Sequence, residues 1–205
     1  MDIEEKIKSE ILSKRKDMRL DKFINNALFK RNSYYYNTKP IGSKNDFITA
    51  PEISQMFGEI ISLYIYNVWE NKINSEFNLI ELGPGKGTLF KDIFNTLKKY
   101  PDFFKKAEVS LIEINKELIK IQKNNFGKLN LLNIYWKKSI NYNSNNPSII
   151  YSNEFFDCFP VRQFILKKYW FEKYVNINEN NNFYFLEKKV TNKKLLSLLE
   201  SYEKK

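Results

Sequence analysis

The residues whose types and spacing suggest chemistry lie between Glu81 and Gly87, where a carboxylate precedes three alternating glycines. Glycine allows a positive φ, and it lets a ligand approach the backbone where a Cβ atom would block the way. A carboxylate repels a pyrophosphate at close range but attracts an ammonium or sulfonium group. This stretch therefore predicts a binding site for a nucleoside that carries positive charge and no phosphate.

The spacing of the glycines disfavours two phosphate-binding motifs. A Walker A loop needs a glycine five residues before its Gly-Lys pair and a hydroxyl residue directly after the lysine, but these positions hold Ile80 and Gly87. The dinucleotide motif GxGxxG fails because the third glycine comes one residue early. S-adenosylmethionine, with an ammonium, a sulfonium and no phosphate, fits the pattern. A tight turn without a ligand is the alternative, although three alternating glycines exceed what such a turn requires.

The elements on either side of the glycines are predicted to be a strand and a helix. Leu79, Ile80 and Leu82 form a short apolar run, as expected of a strand buried on both faces of a parallel sheet. Thr88 opens a helical pattern that Pro101 should stop. A strand, a glycine turn and a helix N-terminus together form the nucleotide-binding start of a doubly wound sheet.

Two further strands are predicted after this unit. Residues 108–114 form the second strand, and its Glu113 lies at the strand's end, where a carboxylate can accept both hydroxyls of a ribose. A solvated glutamate at a strand end is the alternative for this residue. A helix ending near Gly127 and a short third strand at residues 133–136 follow.

A fourth strand, residues 147–154, leads into a stretch that combines carboxylates with aromatic residues. Asn153, Glu154 and Asp157 are set among phenylalanines at the carboxyl end of this strand, where doubly wound folds bind their substrates. The alternative is structural, with Asp157 capping a helix beside a surface Glu154. These residues are therefore candidates for a substrate site.

The N-terminal part of the chain is predicted to be helical around an irregular loop. Residues 3–29 have apolar residues at helical spacing and predict two helices that cap the domain. Residues 33–59 begin as an aromatic-rich loop, and long ordered loops often have a function. A helix then starts at Thr49 as N-cap, with Pro51 in its first turn and Glu52 at the capping-box position.

The C-terminal part predicts a hairpin and a helix. Residues 164–175 and 183–190 alternate weakly around an asparagine-rich tip. Residues 191–205 contain leucines at the spacing of a short amphipathic helix. The sequence has no internal repeats.

Composition limits the possible functions. The chain has 205 residues with 42% hydrophobic content, which suits one globular domain. It has one cysteine and no histidine, which excludes an internal disulfide and imidazole catalysis and argues against a zinc site. No metal is predicted. The net charge of +10 suggests an acidic partner, but the lysines are scattered. No apolar run reaches membrane-spanning length, and the N-terminus lacks the apolar region of a secretion signal.

Four stretches of the sequence resemble the MidA-like S-adenosylmethionine-dependent methyltransferases, a family that includes a mitochondrial complex I assembly factor. They are YYYNTKPIGSKNDFITAPEISQMFGE, IELGPGKGTL, LIEIN followed by Gln122, and SNEFFDCFPVRQF. The second and third are general to class I methyltransferases, whereas the first and fourth are specific to this family. The resemblance implies an α/β fold: a Rossmann-like class I methyltransferase sheet with flanking helices and an N-terminal helical cap, lacking the last strands of the family's sheet.

The resemblance also implies a function and a division of the chain. Residues 1–76 would form helices and a covering loop, and residues 77–205 the methyltransferase core. The reaction would transfer a methyl group from S-adenosyl-L-methionine to an arginine of a core subunit of respiratory complex I, or of its bacterial counterpart. The location would be the cytoplasm in a bacterium or the mitochondrial matrix in a eukaryote. A second polypeptide could complete the sheet.

The resemblance assigns roles to individual residues. Residues expected to bind the cofactor are Glu81, Gly83, Pro84, Gly85, Gly87, Glu113 and Asn153. Trp136 is expected to bind it too, by stacking on the adenine, and here the chain departs from the family, which usually has an acidic or polar residue near the adenine. Residues expected in the covering loop and substrate pocket are Tyr35, Asp46, Phe47, Thr49, Gln55 and Gly58. A protonated guanidinium is a poor nucleophile, so a carboxylate is expected to hold its planar fork in line. Glu154 is the first candidate for that catalytic role, followed by Asp157 and Glu52.

Three other functions are possible on the sequence. The positive charge favours an RNA methyltransferase, although the family-specific stretches speak against it. A chain without the last strands could be a non-catalytic assembly scaffold, which need not bind the cofactor. An NAD-dependent oxidoreductase is disfavoured by the glycine spacing.

Overall fold

The computed structural model describes residues 2–30, 49–127, 134–140 and 144–203. The chain divides into two compact units, one formed by Met1–Thr38 with Cys158–Lys205 and the other by Lys39–Asp157. The boundary expected between residues 76 and 77 lies inside the second unit. The division into 1–76 and 77–205 stays a prediction.

Helices and strands alternate along most of the described chain. The helices are α1 (Ile3–Lys14), α2 (Leu20–Phe29), α3 (Ala50–Ile53), α4 (Gln55–Val68), α5 (Thr88–Leu97), α6 (Pro101–Lys106), α7 (Lys116–Phe126) and α8 (Lys193–Glu203). The strands are β1 (Met18–Arg19), β2 (Phe77–Leu82), β3 (Ala107–Ile112), β4 (Ile134–Lys137), β5 (Ser148–Ser152), β6 (Phe164–Leu166), β7 (Trp170–Ile177) and β8 (Phe183–Lys189). A π-helical turn, Trp69–Ile73, follows α4.

The unit Lys39–Asp157 is built on a parallel sheet in the order β4-β3-β2-β5. All six residues of β2 are buried, as the apolar run of this strand predicts. The four strands expected from the sequence are confirmed, each within two residues of its predicted bounds. A parallel sheet with helices between its strands confirms the α/β class.

The core of this unit lies where β2 and β3 meet α4, α5 and α6. Alternation along β2 places Phe77 and Leu79 on the face that packs against Trp69, Phe90 and Phe103. The rings of Phe77 and Phe103 meet edge to face, with centroids 5.2 Å apart. The burial of these large aromatic surfaces holds the helices on this face of the sheet.

Two local features of the helices differ from expectation. Pro101 was expected only to stop a helix, but it is also the first residue of α6, because a proline at the first helical position loses no hydrogen bond. The helix expected to run on from Thr49 is interrupted at Ser54, which is extended (φ −146°, ψ 123°). On α4 the buried stripe runs through Gly58, Ser62 and Ile65, whereas other apolar residues of the helix, Met56, Ile60 and Tyr64 among them, are exposed.

The other unit contains an antiparallel sheet in the order β1-β7-β6, with β8 also paired to β7. The predicted hairpin is confirmed as β7 and β8, while β6 is a separate short strand. Ile7, Ile11 and Met18 form a small core with the hairpin residues Ile177 and Phe183. The two N-terminal helices are confirmed as α1 and α2, separated by the short strand β1.

Candidate cofactor site

The three alternating glycines form a tight turn directly between β2 and α5. Gly83, Gly85 and Gly87 all have positive φ values, at 61°, 57° and 81°. A Cβ atom on Gly83 would lie 2.4 Å from Phe155 Cδ2, and one on Gly87 would lie 2.4 Å from Phe126 Cζ. Glycine is therefore required at both positions by the backbone and by neighbouring aromatic rings. At Gly83 and Gly87, the groups that approach the backbone closely are therefore side chains of this chain, Phe155 and Phe126.

Glu81 lies in β2, two residues before the turn, and is only 3% exposed. The Tyr151 hydroxyl of the adjacent β5 donates to its Oε2 at 3.2 Å. Burial raises the pKa of Glu81 from 4.5 to about 8, and the hydrogen bond from Tyr151 opposes this rise. A cationic group would stabilise the ionised form, so the site suits a ligand with an ammonium group. Sequence reasoning missed Tyr151, whose contact depends on the register between β2 and β5.

Glu113 follows β3 and is 8% exposed. Its Oε1 accepts from the backbone N–H groups of Ile114 and Asn115, both at 2.8 Å. Burial raises the pKa of Glu113, while these backbone hydrogen bonds and a hydrogen bond from the Gln122 side chain act to lower it. The hydrogen bonds hold the carboxylate at the carboxyl end of β3, next to the glycine turn that follows β2, because the two strands pair in register. Its expected role toward a ribose stays a prediction.

Side chains of α7 surround the glycine turn. Gln122 is fully buried, and its Nε2 donates to the Gly85 carbonyl at 2.7 Å. Its Oε1 accepts from the indole N–H of Trp136 at 2.8 Å. Asn125 Nδ2 donates to the Lys86 carbonyl at 2.9 Å. The sequence analysis identified Gln122 only as part of a family motif. Its spacing of three residues from Asn125, which places both on one face of a helix, was the signal that could have linked the two.

Trp136 lies on β4 and is held by side chains of α7. Its ring is roughly parallel to that of Phe126, with centroids 6.4 Å apart and planes at 25°. The Lys123 ammonium lies 5.1 Å from the indole centroid. The structure thus places Trp136 beside the helix that contacts the turn, and its expected stacking on an adenine stays a prediction.

Glu52 reaches the glycine turn from α3. It was expected at a capping-box position, but the Thr49 side chain makes no capping hydrogen bond. The Glu52 carboxylate instead accepts a hydrogen bond from the Thr88 hydroxyl and lies 3.6 Å from Lys86 Nζ. The interpretation of Thr49 and Glu52 as a capping box is therefore wrong. The Glu52 carboxylate instead interacts with the Thr88 hydroxyl and the Lys86 ammonium.

The polar residues after β5 follow the strand that pairs with β2, on the side where the glycine turn begins. Glu154 is exposed and has a φ of 45°, a left-handed conformation that is unfavourable for a residue with a side chain. Asp157 is also exposed, and Asn153 is half-buried. Phe155, between them in sequence, contacts Gly83. Such unfavourable backbone conformations cluster at functional sites, which is consistent with a role for Glu154.

The remaining expected residues are distributed as follows. Tyr35, Asp46 and Phe47 lie outside the described residues. Thr49 precedes α3, and Gln55 begins α4, where its side chain donates to Glu59 at 2.9 Å. Gly58 allows close contact between helices, because a Cβ atom there would lie 2.5 Å from Asp92 Cβ on α5. Pro84 is buried inside the turn, and its carbonyl accepts from the Gly87 N–H at 2.7 Å.

Two absences hold for the part of the chain that the structure describes. No group of three or more histidine, cysteine, aspartate or glutamate residues is arranged to hold a metal ion. No helix there combines the length and apolar character needed to cross a membrane.

The parallel sheet, the glycine turn and the two buried carboxylates define an α/β protein with a candidate nucleoside site at the carboxyl ends of its strands. Residues 60–205 match a family model whose description is that of an S-adenosyl-L-methionine-dependent methyltransferase. The chain belongs to this family, whose cofactor is S-adenosyl-L-methionine. The resemblance noted in the sequence is thereby confirmed.

Curated relatives carry the name protein arginine methyltransferase NDUFAF7, mitochondrial, or a homolog of it. The chain is 33% identical over 182 residues to the Caenorhabditis elegans homolog, covering 80% of this chain and 42% of the relative. It is 30% identical over 168 residues to the human protein, covering 71% of this chain and 38% of the relative. The chain thus spans less than half the length of these relatives.

Solved structures share the fold. A COG1565 superfamily member from Burkholderia thailandensis, bound to S-adenosyl-homocysteine, matches with a TM-score of 0.80 at 19% identity, over 97% of this chain and 52% of that chain. A native structure of a COG1565 superfamily protein from the same organism matches with a TM-score of 0.76 at 18% identity, over 96% of this chain and 50% of that chain. At this identity the likeness concerns the fold alone, and it confirms the fold class.

Proposed function

We propose that this chain contains the cofactor site of an S-adenosyl-L-methionine-dependent protein arginine methyltransferase. The observation that carries the proposal is the pair of buried carboxylates, Glu81 and Glu113, at the ends of adjacent strands around a turn of positive-φ glycines. Glu81 would pair with the cofactor's ammonium group, and Glu113 would accept its ribose hydroxyls. The turn would offer backbone N–H groups at the start of α5.

The chain's other residues would orient the acceptor. S-adenosyl-L-methionine, when bound, supplies an electrophilic methyl group. Glu154 would accept paired hydrogen bonds from the substrate guanidinium and hold it in line, with Asp157 or Glu52 as the second choice. Holding two reactants in the correct geometry is the main contribution to such a reaction. The contact of Phe155 with Gly83 supports this role, because it keeps Glu154 beside the cofactor turn.

The substrate would be a protein. The relatives are named as arginine methyltransferases, and their names place them in mitochondria. We extend this to a core subunit of respiratory complex I or its bacterial counterpart, with the mitochondrial matrix as the location in a eukaryote and the cytoplasm in a bacterium. A second polypeptide beside β5 is also part of the proposal, since within the described residues β5 pairs with a strand on one side only, β2.

The test measures binding and transfer separately on Glu154→Gln, with the exposed Glu179→Gln as matched control. Calorimetry with S-adenosylhomocysteine should give the same affinity for wild type and both variants. Transfer of labelled methyl groups to arginine in protein should fall about 10- to 100-fold in Glu154→Gln, because one charged hydrogen-bonding group is lost. Glu179→Gln should match wild type.

Three outcomes would contradict the proposal. Unchanged transfer by Glu154→Gln removes this residue from the mechanism. Label found in RNA rather than protein would favour an RNA methyltransferase, which the net charge of +10 makes the second candidate. No binding of S-adenosylhomocysteine would favour a non-catalytic role.

A further inference from the structure

We propose that α7 is a positioning clamp for the glycine turn and that Gln122 is its central residue. Three side chains of α7 contact three consecutive residues of the turn: Gln122 with Gly85, Asn125 with Lys86, and Phe126 with Gly87. The inference rests on the proposed function of the turn as the cofactor site. It assigns a role to a residue whose side chain is fully buried and acts through its protein partners.

The geometry of the helix explains how the clamp is built. Residues 122, 125 and 126 share one face of α7, because side chains three and four residues apart are neighbours on a helix. The start of the same helix is joined to Glu113, whose carboxylate accepts from the backbone N–H of Asn115. The Asn115 side chain in turn caps α7 by accepting from the Glu117 N–H at 2.9 Å. One helix therefore connects the expected ribose carboxylate to the turn.

The chemistry at position 122 needs an amide. Gln122 uses its N–H to bind the Gly85 carbonyl and its oxygen to bind the indole N–H of Trp136. A carboxylate has two acceptor oxygens and no donor, so it could satisfy Trp136 but would face the Gly85 carbonyl without a hydrogen. An apolar residue would leave both partners unsatisfied in a fully buried place. The amide is thus the group that satisfies both sides.

The consequence for binding is preorganisation. Glycine has the largest backbone freedom of any residue, and the turn has three of them in left-handed conformations. Without fixed partners, the turn would have to be ordered when the ligand binds, and that ordering would reduce affinity. Hydrogen bonds from α7 order the turn in advance, so their loss should weaken ligand binding without removing a ligand contact.

The experiment compares wild type with Gln122→Met, Gln122→Glu and Asn125→Ala, and uses the exposed Asn124→Ala on the same helix as control. We expect Gln122→Met to bind S-adenosylhomocysteine about tenfold more weakly, as for the loss of a buried hydrogen bond. Asn125→Ala should weaken binding less, and Asn124→Ala should not change it. The Gly87 amide, which donates to Pro84, should exchange hydrogen faster in Gln122→Met by more than the accompanying loss of global stability accounts for.

The nitrogen–proton NMR signal of the Trp136 indole gives a local reading, assigned by its loss in Trp136→Phe. It should move in Gln122→Met and stay close to the wild-type position in Gln122→Glu, where the acceptor is kept, while binding is weakened in both. If Gln122→Met does not fold, Asn125→Ala and Gln122→Glu carry the test through the same exchange and binding measurements.

Two results separate the clamp from the proposed function. Variants with a displaced indole signal but unchanged affinity and unchanged Gly87 exchange would overturn the clamp and leave the cofactor site intact. A wild-type chain that does not bind S-adenosylhomocysteine would overturn the proposed function, and Gly87 exchange would still decide whether α7 orders the turn.

Discussion

At the scale of single residues, Glu81 combines burial with a titratable group at the candidate site. Its carboxyl is enclosed by the sheet and receives one hydrogen bond from Tyr151. Because burial raises its pKa to about 8, the folded state binds a proton more tightly than the unfolded chain does. The contribution to stability is therefore fully present below pH 4.5 and is lost as pH rises through about 8.

The direction of the Glu81 pKa shift gives a prediction for how folding stability changes with pH. Relative to Glu81→Gln, wild type should lose about 1.4 kcal/mol of unfolding free energy per pH unit in the middle of the range from pH 4.5 to about 8, and less per unit toward either end. Urea denaturation of both proteins at several pH values measures the difference. Parallel stability curves for the two proteins would show that Glu81 does not titrate in this range.

The proton on the Glu81 carboxyl also gives a prediction for ligand binding. A ligand ammonium paired with Glu81 requires the ionised carboxylate, so binding at pH 7 should release up to about one proton. Calorimetry with S-adenosylhomocysteine in buffers of different ionisation enthalpy measures this number. Glu81→Gln should release less, and equal proton release by both proteins would refute the pairing.

At the scale of elements, the glycine turn offers a matched pair of substitutions. Gly87→Ala places a Cβ atom 2.4 Å from Phe126 at a φ of 81°, so we expect a loss of about 2–4 kcal/mol of stability. Gly127→Ala, at the end of α7, has a φ of −55° and no contact closer than 3.4 Å, so it should change stability by about 0.5 kcal/mol or less. Denaturant unfolding compares the two, and equal losses would contradict the steric account.

The elements were predictable where one local pattern decides them. The apolar run of β2 and the glycines after it were enough to predict a strand, a turn and a helix, because burial on both faces leaves a strong signature. The contacts of Glu52 and Gln122 were not predictable from a local pattern. They depend on donors and acceptors that are distant in sequence, such as Thr88 for Glu52 and Gly85 for Gln122.

The candidate site shows the same division. The sequence alone places Glu81 and Glu113 at the ends of two predicted strands. The two carboxylates are neighbours because β2 and β3, which follow each other in the chain, also pair with each other in the sheet. The capping interpretation of Glu52 was wrong in detail because a capping box is a local rule, and a tertiary partner displaced it. Tyr151 was missed since its hydroxyl meets Glu81 only through the pairing of β2 with β5.

At the scale of the whole molecule, the outer edge of β5 predicts self-association. Within the described residues this strand pairs only with β2, and Ile150 is 46% exposed. Unpaired strand edges template pairing with other chains, and lysine on an edge opposes it. Wild type should therefore associate with rising concentration in sedimentation experiments, whereas Ile150→Lys should remain monomeric.

The control for this prediction is Ile114→Lys, which changes an exposed isoleucine outside the strands. It should associate as wild type does. A wild-type chain that stays monomeric at high concentration, or association that persists in Ile150→Lys, would show that β5 is not the pairing edge.

The contact between Phe155 and Gly83 has a consequence for how the two reactants would meet. The ring fills the space of the missing Cβ atom, and the next residue back along the chain is Glu154. The contact between the Phe155 ring and the Gly83 backbone would thus set the distance between the methyl donor and the acceptor. A bulkier residue at position 83 would push the Phe155 ring, and Glu154 with it, away from the turn. Such a variant would retain its ligand and lose the alignment needed for transfer.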